Sequence, residues 1–380
     1  MRDETQNVRR PEAREAKARE ASPREREAPP RDAPGPPTPD PPAAGPSRRR
    51  ALRGLSVVAG GAASLGAAGP AAWAAPRAAP GTARNRTGRG GHEAEPRTYV
   101  LVHGTHSAGA YWSAIGRELA LRGHRVIAVD QPLHGAEEFV PSAYVRQDLP
   151  ALATEPSPLA ALTLDDFERR VTEVVRRAAR WAGPVVLVGH SMGGLSLSRV
   201  GNAVPELLAH LCYMAAFCPS RTMPTLDACT ASPEGQGAIS PVEQVVGDPE
   251  KLGVLRLNWR TTSARDLGLF HEMICANHSD AAFRRALQGM QTDETMGAYA
   301  SRALGRAHTW GRVPRTYVRF GRDRTVATAL QDRMIEEADA LTPDNRFTVR
   351  NFPDAGHLGP EDPAPLVSVL AALGDGRAVK

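Results

Sequence analysis

Three side chains far apart in the chain have the types that covalent acyl transfer needs: a hydroxyl at Ser191, a carboxylate at Asp323 and an imidazole at His357. A serine hydroxyl is a weak nucleophile until a base takes its proton, and the base needs an acid that holds one ring tautomer. Ser191 stands in Gly189-His190-Ser191-Met192-Gly193, directly behind the apolar run Pro184-Val185-Val186-Leu187-Val188 and ahead of Gly194-Leu195-Ser196-Leu197-Ser198. Such a run reads as a buried strand that turns sharply onto a helix and holds the serine up at the turn. The two glycines are then a steric demand, because a Cβ at either position would strike the neighbouring strand or helix.

The other two groups also follow strand-like runs. Arg315-Thr316-Tyr317-Val318-Arg319-Phe320 leads into Gly321-Arg322-Asp323, and Arg346-Phe347-Thr348-Val349-Arg350 leads into the loop Asn351 to Leu358 that delivers His357. His357 is the expected general base and Asp323 its orienting acid. A developing oxyanion needs two donors. One is the backbone N–H of Met192. The run Thr98-Tyr99-Val100-Leu101-Val102 opens into His103-Gly104-Thr105-His106-Ser107-Ala108-Gly109, and the N–H of Thr105 is the candidate for the second.

Taken together, Val100 to Trp112, Asp130-Gln131-Pro132-Leu133-His134-Gly135, Gly189 to Gly194, Asp323 and His357 resemble the α/β-hydrolase superfamily, over about residues 98–373. In that superfamily the triad runs in the order serine, acid, histidine, as here. The short segment from His103 to Trp112 and the late insertion are similar to the plant methylesterase and hydroxynitrile lyase group. That resemblance makes Gly104, Trp112 and Leu358 candidates for the substrate pocket. The lyases carry a threonine at the position of Gly104 and a lysine at that of Leu358. Without that ammonium nothing would stabilise a departing cyanide, so the resemblance implies the esterase side. Epoxide hydrolases and dehalogenases of this fold use an aspartate where Ser191 stands.

Competing residues have plainer readings. Asp354 shapes a loop, Asp130 caps one, and His190 packs beneath the nucleophile. His106, His134, His210, His271 and His278 read as structural or exposed. Neither an H-E-x-x-H motif nor a spaced Cys/His set occurs, so no metal and no cofactor is expected.

The chain has 380 residues and a formal net charge of +5, mild for its length, with arginine far exceeding lysine. No nucleic-acid partner is implied. Residues 1–46 are rich in Pro, Ala, Arg and Glu and too poor in large apolar side chains to offset their ordering entropy, so a disordered tail is expected. Ser47-Arg48-Arg49-Arg50-Ala51-Leu52-Arg53, an Ala/Gly-rich stretch and Ala72-Trp73-Ala74 read as a twin-arginine export signal over 47–75 with an A-x-A cleavage site. The stretch contains Pro70 and is too weakly apolar for a stable membrane anchor. A secreted or cell-envelope enzyme is expected, with a linker over 76–96 and one domain over 97–376.

Strand and helix patterns alternate through that domain, which predicts a mostly parallel sheet flanked by helices. Helices are expected over Tyr111 to Arg122, over Leu164 to Trp181 (opened by Asp165 and Asp166), after Ser191, and over Ala364 to Leu373. Between Pro219 and Val313 lies an insertion with helical stretches and no strand alternation, read as a helical cap at about 219–313. Its Met223, Leu226, Trp259, Leu269, Phe270 and Met273 either line a pocket or form the cap's own core. The loop from Ala136 to Leu162, long, without clear structure in its pattern and beside the entrance in this topology, reads as functional or disordered. Of the four cysteines, Cys212 and Cys218 read as buried small hydrophobes, and Cys229 with Cys275 is the better disulfide pair.

The expected activity is hydrolysis of a small or medium carboxylic ester through an acyl-enzyme. The same triad serves a thioesterase, a lactonase or a C–C bond hydrolase or lyase, and a non-catalytic ligand-binding protein is the reading from a different class.

Overall fold

The computed structural model describes residues 95–373. The tail, the export segment, nearly all of the linker and residues 374–376 of the expected domain lie outside the described residues. Strands β1 (Thr98–Val102), β2 (Arg125–Val129), β3 (Val185–His190) and β4 (Leu208–Met214) precede the insertion. Two short strands fall within it, β5 (Val254–Arg256) and β6 (Asp293–Thr295), and β7 (Arg315–Phe320) and β8 (Thr348–Phe352) follow it. Six of these form one sheet in the order β2-β1-β3-β4-β7-β8, every pair parallel.

Parallel strands need crossovers, and the crossover helices bury both faces of the sheet. Alternate residues of the central strands therefore enter different cores. Val100, Val102, Val185 and Leu187 join one with Phe167, Val171, Leu195, Val200 and Met334. Tyr99, Leu101, Val186 and Val188 join the other with Ile115, Leu119, Leu366 and Leu370. Burying each such Val or Leu side chain contributes roughly 1.5–3 kcal/mol. The 19-residue helix Leu164–Ala182 starts cleanly because the Asp166 carboxylate accepts from the Thr163 N–H at 2.9 Å.

Strand order also decides where a site can form. From β1 the chain crosses to β2 on one side; from β3 it proceeds to β4, β7 and β8 on the other. The helix after β1, Ser113–Leu121, packs on one face and the helix after β3, Gly193–Ala203, on the opposite one. The loops leaving β1 and β3 therefore part company and open a crevice at the carboxyl ends of the strands.

The structure corrects three expectations. The insertion is not purely helical: β5 and β6 pair antiparallel, with Leu255 opposite Glu294 and Arg256 opposite Asp293. Strands of three residues, one of them Asp-Glu-Thr, are too short and too polar to show alternation. The segment 136–162 is not structureless. It holds the short helices Ser142–Arg146 and Leu149–Leu152, the first held by Glu155 accepting from the Ser142 and Ala143 N–H groups at 2.8 Å each. The fully buried Arg256 ties this segment to the insertion, donating to the Leu152 and Glu155 carbonyls and, at 2.7 Å twice, to Asp293. Finally, all four cysteines are free and buried. Cys229 and Cys275 belong to different apolar clusters, and burial pushes each thiol up to about 12.

Candidate active site

β3 ends at His190, and Ser191 follows with φ 53°, in the left-handed region that side chains beyond glycine rarely occupy. Such a conformation costs on the order of 1–3 kcal/mol and persists only where the surroundings impose it. A Cβ at Gly193 would lie 2.8 Å from the Val102 and His103 carbonyl oxygens, and one at Gly189 would lie 2.5 Å from Leu197 Cδ1. The two glycines let the elbow press against β1 and against its own helix.

The three residues expected to work together are brought together. His357 Nδ1–H donates to Asp323 Oδ2 at 2.8 Å. A carboxylate can only accept, so the proton sits on Nδ1, and bare Nε2 faces Ser191 Oγ at 3.0 Å. Asp323 Oδ1 accepts from the Thr325 and Val326 N–H groups at 2.8 Å each, which fixes the carboxylate. All three residues are buried.

Gly104 stands behind the serine instead of lining the cavity: a Cβ there would sit 2.6 Å from Ser191 Cβ. Thr105 and Met192 both line the cavity at Ser191. Among the described residues their backbone N–H groups have no hydrogen-bond acceptor. His103 anchors the loop, with Nε2 accepting from the Gln131 N–H at 3.1 Å and Nδ1 donating to the Gly104 carbonyl at 2.8 Å. Burial, reinforced by His134, lowers its pKa to about 4, so it is neutral.

The expectation for Trp112 is overturned. Its ring is fully buried in the core with Tyr99 and Leu101, and its neighbour Tyr111 is the ring that reaches the cavity. Leu358 does line it, with its N–H donating to the Ile274 carbonyl at 2.9 Å. The cavity measures about 1010 Å³, at the upper end of ordinary small-molecule sites. Leu226, Trp259 and Met273 contribute to its wall, whereas Met223, Leu269 and Phe270 belong to the same apolar clusters without reaching the cavity.

Several residues that position the site have no motif. Asn277 Oδ1 accepts from the Gly356 N–H at 2.9 Å, steadying the histidine loop from the insertion. The buried Gln331 amide closes the loop that carries Asp323, bonding Phe320 N–H and the Phe320 and Val326 carbonyls. An amide on a helix gives no signal of that role until the loop it meets is known. Asp130 accepts from the Gly109 N–H at 2.7 Å, and Asp354 pairs with Arg322 at the surface.

A family model described as the alpha/beta hydrolase family matches residues 99–369. A probable esterase of Oryza sativa subsp. indica is 31% identical over 122 residues, 32% of this chain and 40% of that protein. The chain thus spans less than half the length of the first curated relatives it matches. Methylesterase 9 of Arabidopsis thaliana is 24% identical over 260 residues, 68% of this chain and 91% of its own. Among solved structures, a pyrethroid hydrolase from Sphingobium faniae JZ-2 superposes with a TM-score of 0.56 at 20% identity, covering 74% of this chain and 98% of that one. The elbow, the parallel sheet and the family match converge: the chain belongs to the alpha/beta hydrolase family.

Proposed function

We propose that this protein is a serine-dependent carboxylic ester hydrolase. The observation that carries the reading is the hydrogen-bonded chain Asp323–His357–Ser191, buried and opening on an apolar cavity. Ser191 Oγ attacks the ester carbonyl while His357 Nε2 takes its proton. The tetrahedral oxyanion is met by the N–H groups of Thr105 and Met192. His357 then returns the proton to the departing alcohol, leaving an acyl-serine. Water, deprotonated by the same imidazole, releases the acid. Asp323 holds the Nδ1–H tautomer and offsets the charge of the transient imidazolium.

The names of the relatives, esterase and methylesterase, support an ester over other carbonyl substrates. A lyase is disfavoured by Gly104, where a side chain would collide with the nucleophile, and by the apolar Leu358 beside the histidine. We further propose that the enzyme is exported, a reading supported by residues 47–75 as a sequence.

The test is turnover of p-nitrophenyl esters from acetate to laurate by the full chain, with Ser191→Ala and Asp323→Asn alongside. Loss of about 10⁴-fold or more in kcat is expected for both. Absence of turnover at every chain length, with Ser191 still labelled by a fluorophosphonate, would move the reading to thioesters, lactones or C–C bonds.

A further inference from the structure

Glu294 belongs to β6 in the insertion and is fully buried, yet its side chain reaches the loop that follows β1. Its Oε2 accepts from the His106 N–H at 3.1 Å, from the Thr105 hydroxyl at 3.3 Å and from His134 Nε2 at 3.3 Å. Its Oε1 accepts from the Thr295 N–H at 3.0 Å. Every one of these donors is itself buried or partly so.

The protonation states follow from the partners. His134 Nδ1 faces the Pro132 carbonyl at 2.9 Å and Nε2 faces Glu294, so both ring nitrogens meet acceptors. Only the imidazolium donates from both. Burial by itself would lower the His134 pKa and raise that of Glu294; their mutual attraction prevails in each case, holding His134 up and Glu294 down. With Glu294 ionised, the Thr105 hydroxyl must donate to it. The Tyr299 hydroxyl, 2.7 Å from Thr105 Oγ1, then donates to Thr105. The next residue is fastened as well: His106 Nδ1 donates to the Gln291 carbonyl at 3.0 Å, and the Gln291 N–H returns a bond to the His106 carbonyl at 2.8 Å.

A buried ion pair is a poor source of stability, since desolvation consumes most of what the attraction supplies. Geometry is what this pair provides. It grips the Thr105 side chain and the His106 N–H, both just past the Gly104–Thr105 peptide plane that carries the Thr105 N–H. His103 Nδ1–H holds the Gly104 carbonyl of that same plane at 2.8 Å. Donors fixed before the reaction stabilise a transition state far better than donors that must reorient.

We infer that Glu294 and His134 are positioning residues for transition-state stabilisation, by which the inserted segment holds the Thr105 N–H in place beside Ser191. This rests on the ester-hydrolase reading and on Thr105 as an oxyanion donor. It also makes the insertion part of the catalytic apparatus, beyond its place in the cavity wall.

The experiment uses the full chain, p-nitrophenyl butyrate, and an alkyl trifluoromethyl ketone that adds to a catalytic serine as a tetrahedral adduct. Glu294→Gln, His134→Gln and Tyr299→Phe are compared with the parent in kcat, KM and ketone affinity. Glu294→Gln and His134→Gln should lower kcat by about 10–100-fold, a part of what a whole oxyanion donor contributes, with KM moved less than about threefold. Ketone affinity should fall by the same factor as kcat/KM. Tyr299→Phe leaves the ion pair intact and removes only the O–H donated to Thr105. It should show a smaller loss in the same proportion, and it carries the test if the charge variants do not fold. Folded variants with unchanged kcat/KM overturn the inference, as does a loss of kcat with ketone affinity intact. If the parent neither turns over the ester nor reacts with a fluorophosphonate at Ser191, the ester-hydrolase reading fails and takes this inference with it; if the parent is active and the variants match it, only the inference falls.

Discussion

His190 and His357 steady one another across the nucleophile: His190 Nε2–H donates to the His357 carbonyl at 2.8 Å, and their rings lie 4.6 Å apart. The residue just before Ser191 thus holds the backbone of the residue that must take the serine's proton. Burial, followed by the neighbouring His357, drives the His190 pKa well below its ordinary value, so it stays neutral and keeps its single N–H for this bond. Its other side stacks on Tyr111 at 4.6 Å. His190→Phe preserves the stacked ring and leaves the His357 carbonyl unpaired. Stability should fall by about 1–3 kcal/mol in urea unfolding, and kcat should fall by about tenfold or more as the imidazole drifts from Ser191. A variant with parental kcat would show that His357 is held by other means.

Gly104→Thr should all but abolish activity. Its Cβ would overlap Ser191 Cβ, and the neighbour that would have to give way is the nucleophile itself. A loss of about 10²-fold in kcat/KM is expected from the displaced serine, with slower fluorophosphonate labelling. Adding Leu358→Lys should not produce cyanohydrin cleavage, because the threonine is not accommodated by this backbone. Measurable cyanide release from the double variant would contradict that.

The Glu294–His134 pair should give stability a defined pH window. The folded pKa of Glu294 lies below the ordinary 4.5, so its contribution is present above 4.5 and is lost as pH falls through the folded value. The folded pKa of His134 lies above the ordinary 6.5, so its contribution is present below 6.5 and is lost as pH rises through the folded value. The stability difference between parent and Glu294→Gln should therefore be flat between those two values and shrink on either side. Both side chains are wholly buried, and breaking such a pair costs about 3–5 kcal/mol at the plateau. Chemical denaturation at a series of pH values checks this. A difference that keeps growing toward high pH would mean that His134 is not charged in the fold.

The cysteines should behave as four unreactive thiols. A thiol-specific chromophore should find no fast-reacting group in the native protein and all four after denaturation, and reductant should leave Tm unchanged. Thiols raised by burial present almost no thiolate near neutral pH. A Tm lowered by reductant would reveal a disulfide after all.

Much of the site was legible because its chemistry is local. Val185 to Val188 had to be a strand buried on both faces, and Gly189 and Gly193 had to flank a tight turn, so Ser191 could be placed from a dozen consecutive residues. Asp323 and His357 each follow a strand of their own, and chain order paired them. What sequence could not rank was side chains whose role depends on a distant neighbour. Trp112, beside the oxyanion loop, resembled a pocket residue, yet the alternation of β1 makes its face of the sheet a core. Met223 and Leu226, three residues apart, share one core cluster, yet only Leu226 also reaches the cavity wall.

By itself, then, the sequence determined the alternation of strand and helix, the elbow, and the order of serine, acid and histidine, since each depends on backbone sterics or apolar periodicity within a few residues. The tertiary structure alone decided that β5 and β6 pair, that Cys229 and Cys275 do not, and that Glu294 reaches His106 from 188 positions away. A buried carboxylate is tolerable only where donors converge on it. Apart from the adjacent Thr295 N–H, its donors come from the loops after β1 and β2, and no window of sequence holds them together.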